Sequence, residues 1–402
     1  MAIVDNAQPM PAATTQSAPP QWLEGLLERF DPDAFDAGRR SARIRLAVVG
    51  RGDWDVVVED DLARLEPAQG EPSAALIADE PTWRGIARDV RGGMEAYRRG
   101  RLQVRHNLHL GVGLLAATGG GGPGRLRFDS VQTAVGRISF VEAGAGDPVV
   151  ALHGLGGTKA SFLPTIAALA ESFRVVALDL PGFGESAKPI GAPYDAPWLA
   201  RSVLGALNAL DIDRAHLVGN SMGGRVAIET GLMAPDRTGG LVLLCPALAW
   251  LRERRWAGVV RILRPELGLL QMAPRPVVEG VVRRLVPGAT DGWTAAGIDE
   301  FLRSYLTPRG RAAFYACARN IYLDEPEGDD GFWPRLRELE PDSLFIWGRQ
   351  DRLVPMGFRR HVEQALDEAS HLVLDCGHVP QVEAPAPTHR AIRAFLSERA
   401  LA

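Results

Sequence analysis

The stretch Val218–Gly224, with the sequence VGNSMGG, decides how the rest of the chain is interpreted. It follows a short apolar run and precedes a helix-like run at 225–233. A serine on a sharp strand-to-helix turn needs neighbours without side chains, because the backbone there is strained and crowded. Its hydroxyl then stands at a helix N-terminus, where the dipole favours developing negative charge. Ser221 is therefore our candidate nucleophile.

The composition is that of a globular protein with two domains. The 402 residues are too many for one ordinary domain, and 46% of them are hydrophobic and 23% charged. The net charge of −4 is small, so electrostatics implies neither nucleic acid nor an anionic membrane as a partner, and we expect no nucleic acid to bind. The absence of an apolar run of about 18 residues predicts no membrane-spanning helix.

The cysteines indicate a reducing compartment. Cys245, Cys317 and Cys376 are odd in number and widely spaced, so we expect neither a disulfide framework nor a metal site. We predict a cytoplasmic protein that needs no cofactor. The sequence leaves its oligomeric state open.

Before the serine motif lie a leader and a small domain. Residues 1–21 are rich in Pro, Ala, Gln, Ser and Thr, without a basic start or an apolar core, which predicts a disordered leader and no signal peptide. Residues 22–117 predict a small α+β domain, which we name the N-terminal domain. Its periodicities indicate strands at 44–48, 54–58, 63–65, 74–78 and 102–104, and helices at 22–30, 81–88, 92–97 and 108–115.

This order of elements resembles the sterol-carrier-protein (SCP-2-like) lipid-binding fold. The hairpin strands, then LIAD at 76–79 leading into Thr82-Trp83, then GRLQV at 100–104 carry the resemblance nearly end to end. It implies a tunnel for an acyl chain or a sterol-like ligand. The alternative is that the same apolar residues only make a small core.

A glycine-rich segment, TGGGGPG at 118–124, separates the two domains. Because such a run holds no single backbone geometry, it predicts a flexible linker and domains that are tethered without rigid docking. We therefore expect the chain from Arg125 onward to fold and to work on a short substrate by itself.

Residues 125–402 alternate between apolar strand-like runs and helices, which predicts an α/β domain with a parallel sheet covered on both faces. Five motifs follow one another there: HGLGG at 153–157, DLPGFGES at 179–186, GNSMG at 219–223, GRQD at 348–351 and GHVPQVE at 377–383. In this order they resemble the α/β-hydrolase family over nearly the whole domain. The resemblance implies a mostly parallel sheet with a helical cap, here at about 247–335.

Residue roles follow from the match and from chemistry. A serine hydroxyl needs a base, and His378 can supply it with Asp351 fixing its tautomer, in the chain order Ser, Asp, His. The other acid position used in the family follows the strand at 241–244, where this chain has Cys245 and no carboxylate. The match also implies oxyanion donors at the backbone N–H groups of Leu155 and Met222.

Three further residues of these motifs have supporting roles in our interpretation. We expect His153 to support the oxyanion loop and Asp179 to begin a structural turn. Glu383 is expected to anchor the loop that carries His378.

The sequence leaves the substrate open. The predicted cap is rich in aromatic residues, which favours an apolar pocket and a small apolar or lipid-like carboxylic ester, cleaved through an acyl-enzyme. An alternative is a carbon–carbon bond hydrolase of the meta-cleavage type, whose members GNSMGG at 219–224 resembles. Those relatives usually carry tryptophan after the catalytic histidine, where this chain has Val379. Another alternative is a lipid-transfer protein with a vestigial hydrolase domain.

Overall fold

A computed structural model describes residues 18–36, 41–59, 61–88, 96–97, 99–119, 125–248, 264–266, 276–277, 280, 291–322 and 331–401. Most of the predicted leader, most of the helix at 92–97, the linker at 120–124 and much of the predicted cap lie outside these residues. Among the described helices, none is long and apolar enough to cross a membrane.

The N-terminal domain contains a five-stranded sheet. Its strands are β1 (Ser41–Val49), β2 (Gly52–Glu59), β3 (Leu62–Pro67), β4 (Ala74–Asp79) and β5 (Leu102–Arg105). They lie in the order β3-β2-β1-β4-β5, with β1 and β4 parallel and the other pairs antiparallel. The helices within the described residues include α1 (Gln21–Leu27), α2 (Glu80–Arg88) and α3 (Leu108–Ala117). The predicted strands are thereby confirmed.

The core of this domain follows from the alternation in β1. Ile44, Leu46 and Val48 are buried on one face and pack with Leu76 and Trp83. These apolar side chains are packed against each other in the sheet–helix interior. The lipid-carrier resemblance stays a prediction.

The second domain is built on an eight-stranded sheet. Its strands are β6 (Arg127–Thr133), β7 (Gly136–Ala143), β8 (Pro148–Leu152), β9 (Arg174–Leu178), β10 (Ala215–Asn220), β11 (Thr238–Leu244), β12 (Ser343–Gly348) and β13 (Ser370–Leu374). They lie in the order β13-β12-β11-β10-β8-β9-β7-β6. Helices cover it: α4 (Leu163–Leu169), α5 (Ala196–Ala209), α6 (Met222–Met233), α7 (Asp291–Tyr305), α8 (Pro308–Tyr322), α9 (Phe332–Leu336), α10 (Arg359–Ala365), α11 (Pro380–Glu383) and α12 (Pro385–Ser397).

This sheet is mixed, which corrects our expectation of a mostly parallel one. β7 is antiparallel to both β6 and β9. The neighbouring pairs among β9, β8, β10, β11, β12 and β13 are all parallel. The reason is the short connection between β6 and β7, where Thr133 pairs with Gly136. A tight turn joins only antiparallel strands, since a parallel pair needs a long crossover.

The two domains are packed against each other, which corrects our expectation of loosely tethered domains. The Arg125 guanidinium lies 2.6 Å from the Asp31 carboxylate, and Arg137 pairs with Asp36. One continuous hydrophobic cluster includes Val112 of α3 and Phe128 of β6. The glycine run predicts the linker alone. The packing could not be predicted from it, because surfaces that meet from distant parts of the chain leave no local sequence pattern.

Candidate active site

Ser221 lies on the turn between β10 and α6 and has the backbone angles φ 53° and ψ −114°. This is a strained conformation for a residue with a side chain. The neighbouring glycines make it possible. A Cβ on Gly219 would lie 2.3 Å from the carbonyl oxygen of Gly223, and one on Gly223 would lie 2.0 Å from that of Leu152. The motif therefore holds Ser221 in the geometry that we predicted for it.

His378 and Asp351 meet at the carboxyl edge of the sheet, after β13 and β12. Their Nδ1 and Oδ2 atoms are 2.7 Å apart. The other carboxylate oxygen of Asp351 accepts hydrogen bonds from the N–H groups of Leu353 at 2.7 Å and Val354 at 2.9 Å. With both oxygens engaged, the carboxylate holds a proton on Nδ1 and leaves Nε2 of His378 free to act as a base.

Two side chains tie the His378 loop to its surroundings. The Asn220 side chain donates to the carbonyl oxygens of Leu244 and His378, at 3.0 Å each. Glu383 accepts from the N–H groups of Gly377 at 3.0 Å and Val379 at 2.8 Å. Glu383 thus anchors this loop as predicted. Asn220 connects the loop to the serine turn, and we had assigned it no role.

The loop after β8 approaches the serine closely. A Cβ on Gly154 would lie 3.2 Å from that of Ser221. Leu155 follows Gly154 directly, and Met222 follows Ser221 as the first residue of α6. That their N–H groups bind an oxyanion stays a prediction. Nε2 of His153 accepts from the N–H of Leu180 at 3.0 Å, so its Nδ1 carries the proton and donates to Gly154 at 2.8 Å. His153 supports the loop, as expected.

A buried ion pair that the sequence analysis missed lies behind this loop. The Lys159 ammonium is 2.5 Å from the Asp179 carboxylate and 3.1 Å from the Ser139 hydroxyl. Asp179 also accepts from the N–H groups of Lys159 at 2.8 Å and Glu185 at 2.9 Å. Burial opposes ionisation, but the charge of Lys159 and the hydrogen bonds that Asp179 accepts from it outweigh burial and hold the pKa of Asp179 below its usual range.

This ion pair had one signal in the sequence. Lys159 is one of only two lysines in a chain that otherwise uses arginine as its basic residue. An ammonium group fits a small buried space that a planar guanidinium does not. The predicted structural role of Asp179 is confirmed, and Lys159 is its partner.

Cys245 occupies the alternative acid position next to Asp351 and His378. The three residues are buried and each places one polar atom within 4.8 Å of the others. Burial, and then the Asp351 charge, raise the pKa of the Cys245 thiol well above its usual value, so the thiol stays neutral. Zinc accepts these donor types, but its ligand atoms stand about 3.3 Å apart at tetrahedral angles. The 2.7 Å hydrogen bond between His378 and Asp351 is too short for both atoms to bind one ion.

Aromatic side chains of the cap lie over the loop after β8. Gly156 has φ +77°, and a Cβ there would lie 2.3 Å from the Phe301 ring and 3.2 Å from the Phe314 ring. The two rings are packed edge to face with their centroids 5.7 Å apart. The described part of the cap thus presents an apolar surface to the site, as the sequence predicted. Trp250, Trp256 and the side chain of Trp293, which we also expected in the cap, lie outside the described residues.

Known proteins are similar to this chain in sequence and in fold. A family model of the alpha/beta hydrolase fold matches residues 147–385. The chain is 31% identical over 273 residues to the 2-hydroxy-6-oxononadienedioate/2-hydroxy-6-oxononatrienedioate hydrolase of Escherichia coli strain K12. The aligned region covers 65% of this chain and 91% of that relative.

Among solved structures, a membrane phospholipase A described as a bacterial virulence factor has a TM-score of 0.56 and 26% identity, covering 68% of this chain and 86% of that one. A meta-cleavage product hydrolase from Pseudomonas fluorescens IP01 has a TM-score of 0.54 and 24% identity, covering 67% of this chain and 97% of that one. With the family model matching more than half of its length, the chain belongs to the α/β-hydrolase fold family.

Proposed function

We propose that the protein is a serine hydrolase that cleaves a carbon–carbon bond in a 2-hydroxy-6-oxo-dienoate, with Ser221, His378 and Asp351 as its catalytic triad. The observation that carries this proposal is the 31% identity to a curated hydrolase of that substrate class over 91% of its length. We had preferred ester hydrolysis, with carbon–carbon cleavage as an alternative, and the relatives favour the alternative. A lipid-carrier role for the N-terminal domain and a cytoplasmic location stay predictions.

The triad supplies what both reactions need. Nε2 of His378 takes the serine proton as Ser221 attacks the substrate carbonyl, and Asp351 stabilises the imidazolium that forms. The N–H groups of Leu155 and Met222 would bind the oxyanion. For a carbon–carbon bond, the 2-hydroxy-dienoate must first ketonise, with the 2-hydroxyl proton moving to C5, so that C5 can leave C6 as a dienolate whose charge the 2-oxo group carries. His378 then gives the proton that it took from Ser221 to this dienolate, and water, deprotonated by His378, releases the acyl group from Ser221 as a carboxylic acid.

Ester hydrolysis is the second candidate, favoured by Val379. The residue after His378 flanks the site, and carbon–carbon hydrolases of the resembling group usually have tryptophan there. Val379 is fixed through its N–H by Glu383, so its side chain has a defined place next to the histidine. The similarity to a phospholipase structure at 26% identity is consistent with this reaction.

The two candidates separate in one assay series. The purified protein is given a 2-hydroxy-6-oxo-dienedioate, an aryl 2-hydroxy-6-oxo-dienoate and p-nitrophenyl esters of short and long acids, each with Ser221→Ala as control. We expect kcat/KM for one of the dienoates to exceed that for every ester by at least about tenfold. A higher value for an ester would reject the carbon–carbon proposal and support the ester. Turnover that survives in Ser221→Ala would reject both.

A further inference from the structure

Two adjacent carboxylates of the cap helix α7 contact the N-terminal domain instead of solvent. Asp299 and Glu300 are only 4% and 5% exposed. Oδ2 of Asp299 accepts from the Arg105 guanidinium at 2.7 Å and from the N–H of His106 at 3.0 Å. Arg105 is the last residue of β5, so the end of the five-stranded sheet binds the cap directly.

Glu300 contacts the beginning of helix α3. Its Oε2 atom accepts from the N–H of Leu108 at 3.3 Å, and the Asn107 side chain accepts from that of Leu110 at 3.0 Å. The first N–H groups of a helix have no partner within it, and a carboxylate there is favoured by the helix dipole. Glu300 and Asn107 therefore each satisfy one N–H group in the first turn of α3, and Glu300 does so from the other domain.

The same helix also contacts the hydrolase domain. Glu300 lies 2.5 Å from the guanidinium of Arg303, and Arg303 pairs with Glu185 in the loop that Asp179 holds. Phe301, the residue after Glu300, places its ring against Gly156 in the loop after β8. Asp299 and Glu300 are thus one or two residues from the ring that covers the predicted oxyanion loop.

From these contacts we infer that the N-terminal domain is a fixed part of the active site, which holds α7 so that Phe301 lies over the oxyanion loop. Asp299 and Glu300 are positioning residues in this account, since they act on substrate through Phe301. The inference rests on the proposed function. It replaces the sequence-based picture of a tethered carrier, in which the second domain alone would suffice.

The test uses the full-length chain with Asp299→Asn and Glu300→Gln combined. Both changes keep the shape of the side chains and remove their charge. The matched control is Glu80→Gln, which removes a carboxylate from an exposed pair with Arg84 inside the N-terminal domain. If the double variant fails to fold, Arg105→Ala is measured instead, because the Arg105 side chain, at 36% exposed, is less buried than the two carboxylates.

Two readouts are compared: kcat and KM on the best substrate, and the rate at which a small fluorophosphonate labels Ser221. We expect the double variant to lose about tenfold in kcat/KM, since a small displacement of a positioning group costs this much or more. Labelling by the small probe should stay within about twofold, because a short fluorophosphonate has no long group for Phe301 to position. Restoring one carboxylate, as in Asp299→Asn alone, should recover part of the loss.

The outcomes separate the inference from the proposed function. A wild-type protein that the probe does not label would reject the serine hydrolase itself. A labelled and active wild type whose double variant, or whose Arg105→Ala variant, keeps kcat/KM within twofold would reject the role of the N-terminal domain. An equal loss in labelling and turnover would also reject it, since that pattern indicates general unfolding.

Discussion

The two sheets of this protein serve its active site in different ways. In the eight-stranded sheet, six neighbouring strands, β8 to β13, are parallel, so their carboxyl ends meet at one edge. The serine, aspartate and histidine motifs lie at this edge, after β10, β12 and β13. The five-stranded sheet has mostly antiparallel neighbours and gathers no such set of loops. It contributes the end of β5 and the start of α3 as a support for the cap. The eight-stranded sheet thus carries the candidate catalytic residues, and the five-stranded sheet helps to hold the cap in place.

The largest effect on activity is expected from a change in the proposed triad, which the eight-stranded sheet carries. Asp351→Asn keeps the carbonyl oxygen that accepts from Leu353 and Val354, and therefore turns its NH₂ group toward Nδ1 of His378. That donor forces the wrong tautomer, and we expect kcat to fall by about 10⁴-fold with the fold unchanged. Asp375→Asn, at an exposed carboxylate bonded to Gln350, should stay within about twofold. Steady-state kinetics measures kcat, and circular dichroism checks the fold. A folded Asp351→Asn variant that keeps its activity would mean that another residue is the catalytic acid.

A smaller effect is expected from the contact between the loop after β8 and the Phe301 ring of the cap. Gly156→Ala puts a methyl group 2.3 Å from the Phe301 ring at a backbone φ of +77°. We expect kcat/KM to fall by about 10- to 100-fold, because the loop or the ring must move. Gly191→Ala is the matched control, with φ +75° and open space around it, so it isolates backbone strain from the clash.

Combining Gly156→Ala with Phe301→Ala completes that experiment. The smaller side chain removes the ring that the new methyl group meets, so part of the lost kcat/KM should return. If the double variant is no better than Gly156→Ala alone, the strained backbone and not the cap contact sets the loss.

These contacts show where sequence reasoning succeeds and where it ends. Ser221, Asp351 and His378 could be predicted because each follows a strand inside a local motif, and parallel strands bring such positions together. Arg105 and Asp299 are 194 residues apart and belong to no motif, so nothing local announces their contact. The antiparallel edge of the large sheet was missed because β6, with its polar sequence RFDSVQT, lacks the apolar run that indicated the other strands of this domain.

Another prediction concerns stability in acid and not activity, and it tests whether the domains stay packed. His109 in α3 is buried near the second domain, and burial, followed by the Lys159 charge, lowers its pKa to about 4. The unfolded chain therefore binds a proton near pH 6.5 that the folded protein does not bind. Stability is full above that pH and falls as the pH drops from about 6.5 to about 4, by on the order of 3 kcal/mol.

His109→Gln should remove this dependence while keeping a donor for the carbonyl of Asp36. The free energy of unfolding, measured between pH 7.5 and pH 4, should then fall less steeply than in the wild type. His389→Gln is the comparison inside the second domain, since burial lowers the pKa of His389 to about 4 as well. If His389→Gln flattens the dependence and His109→Gln does not, His109 is solvated and the domains are not packed.

Ser221 at the end of β10 must be an activated nucleophile for the proposed function to hold. Intact-mass spectrometry of the full-length chain after reaction with a fluorophosphonate tests this directly, alongside Ser221→Ala. We predict one phosphonyl group per chain, located on Ser221, and no added mass in the variant. A wild-type chain that stays unmodified, or a Ser221→Ala chain that is modified to the same extent, would contradict the account.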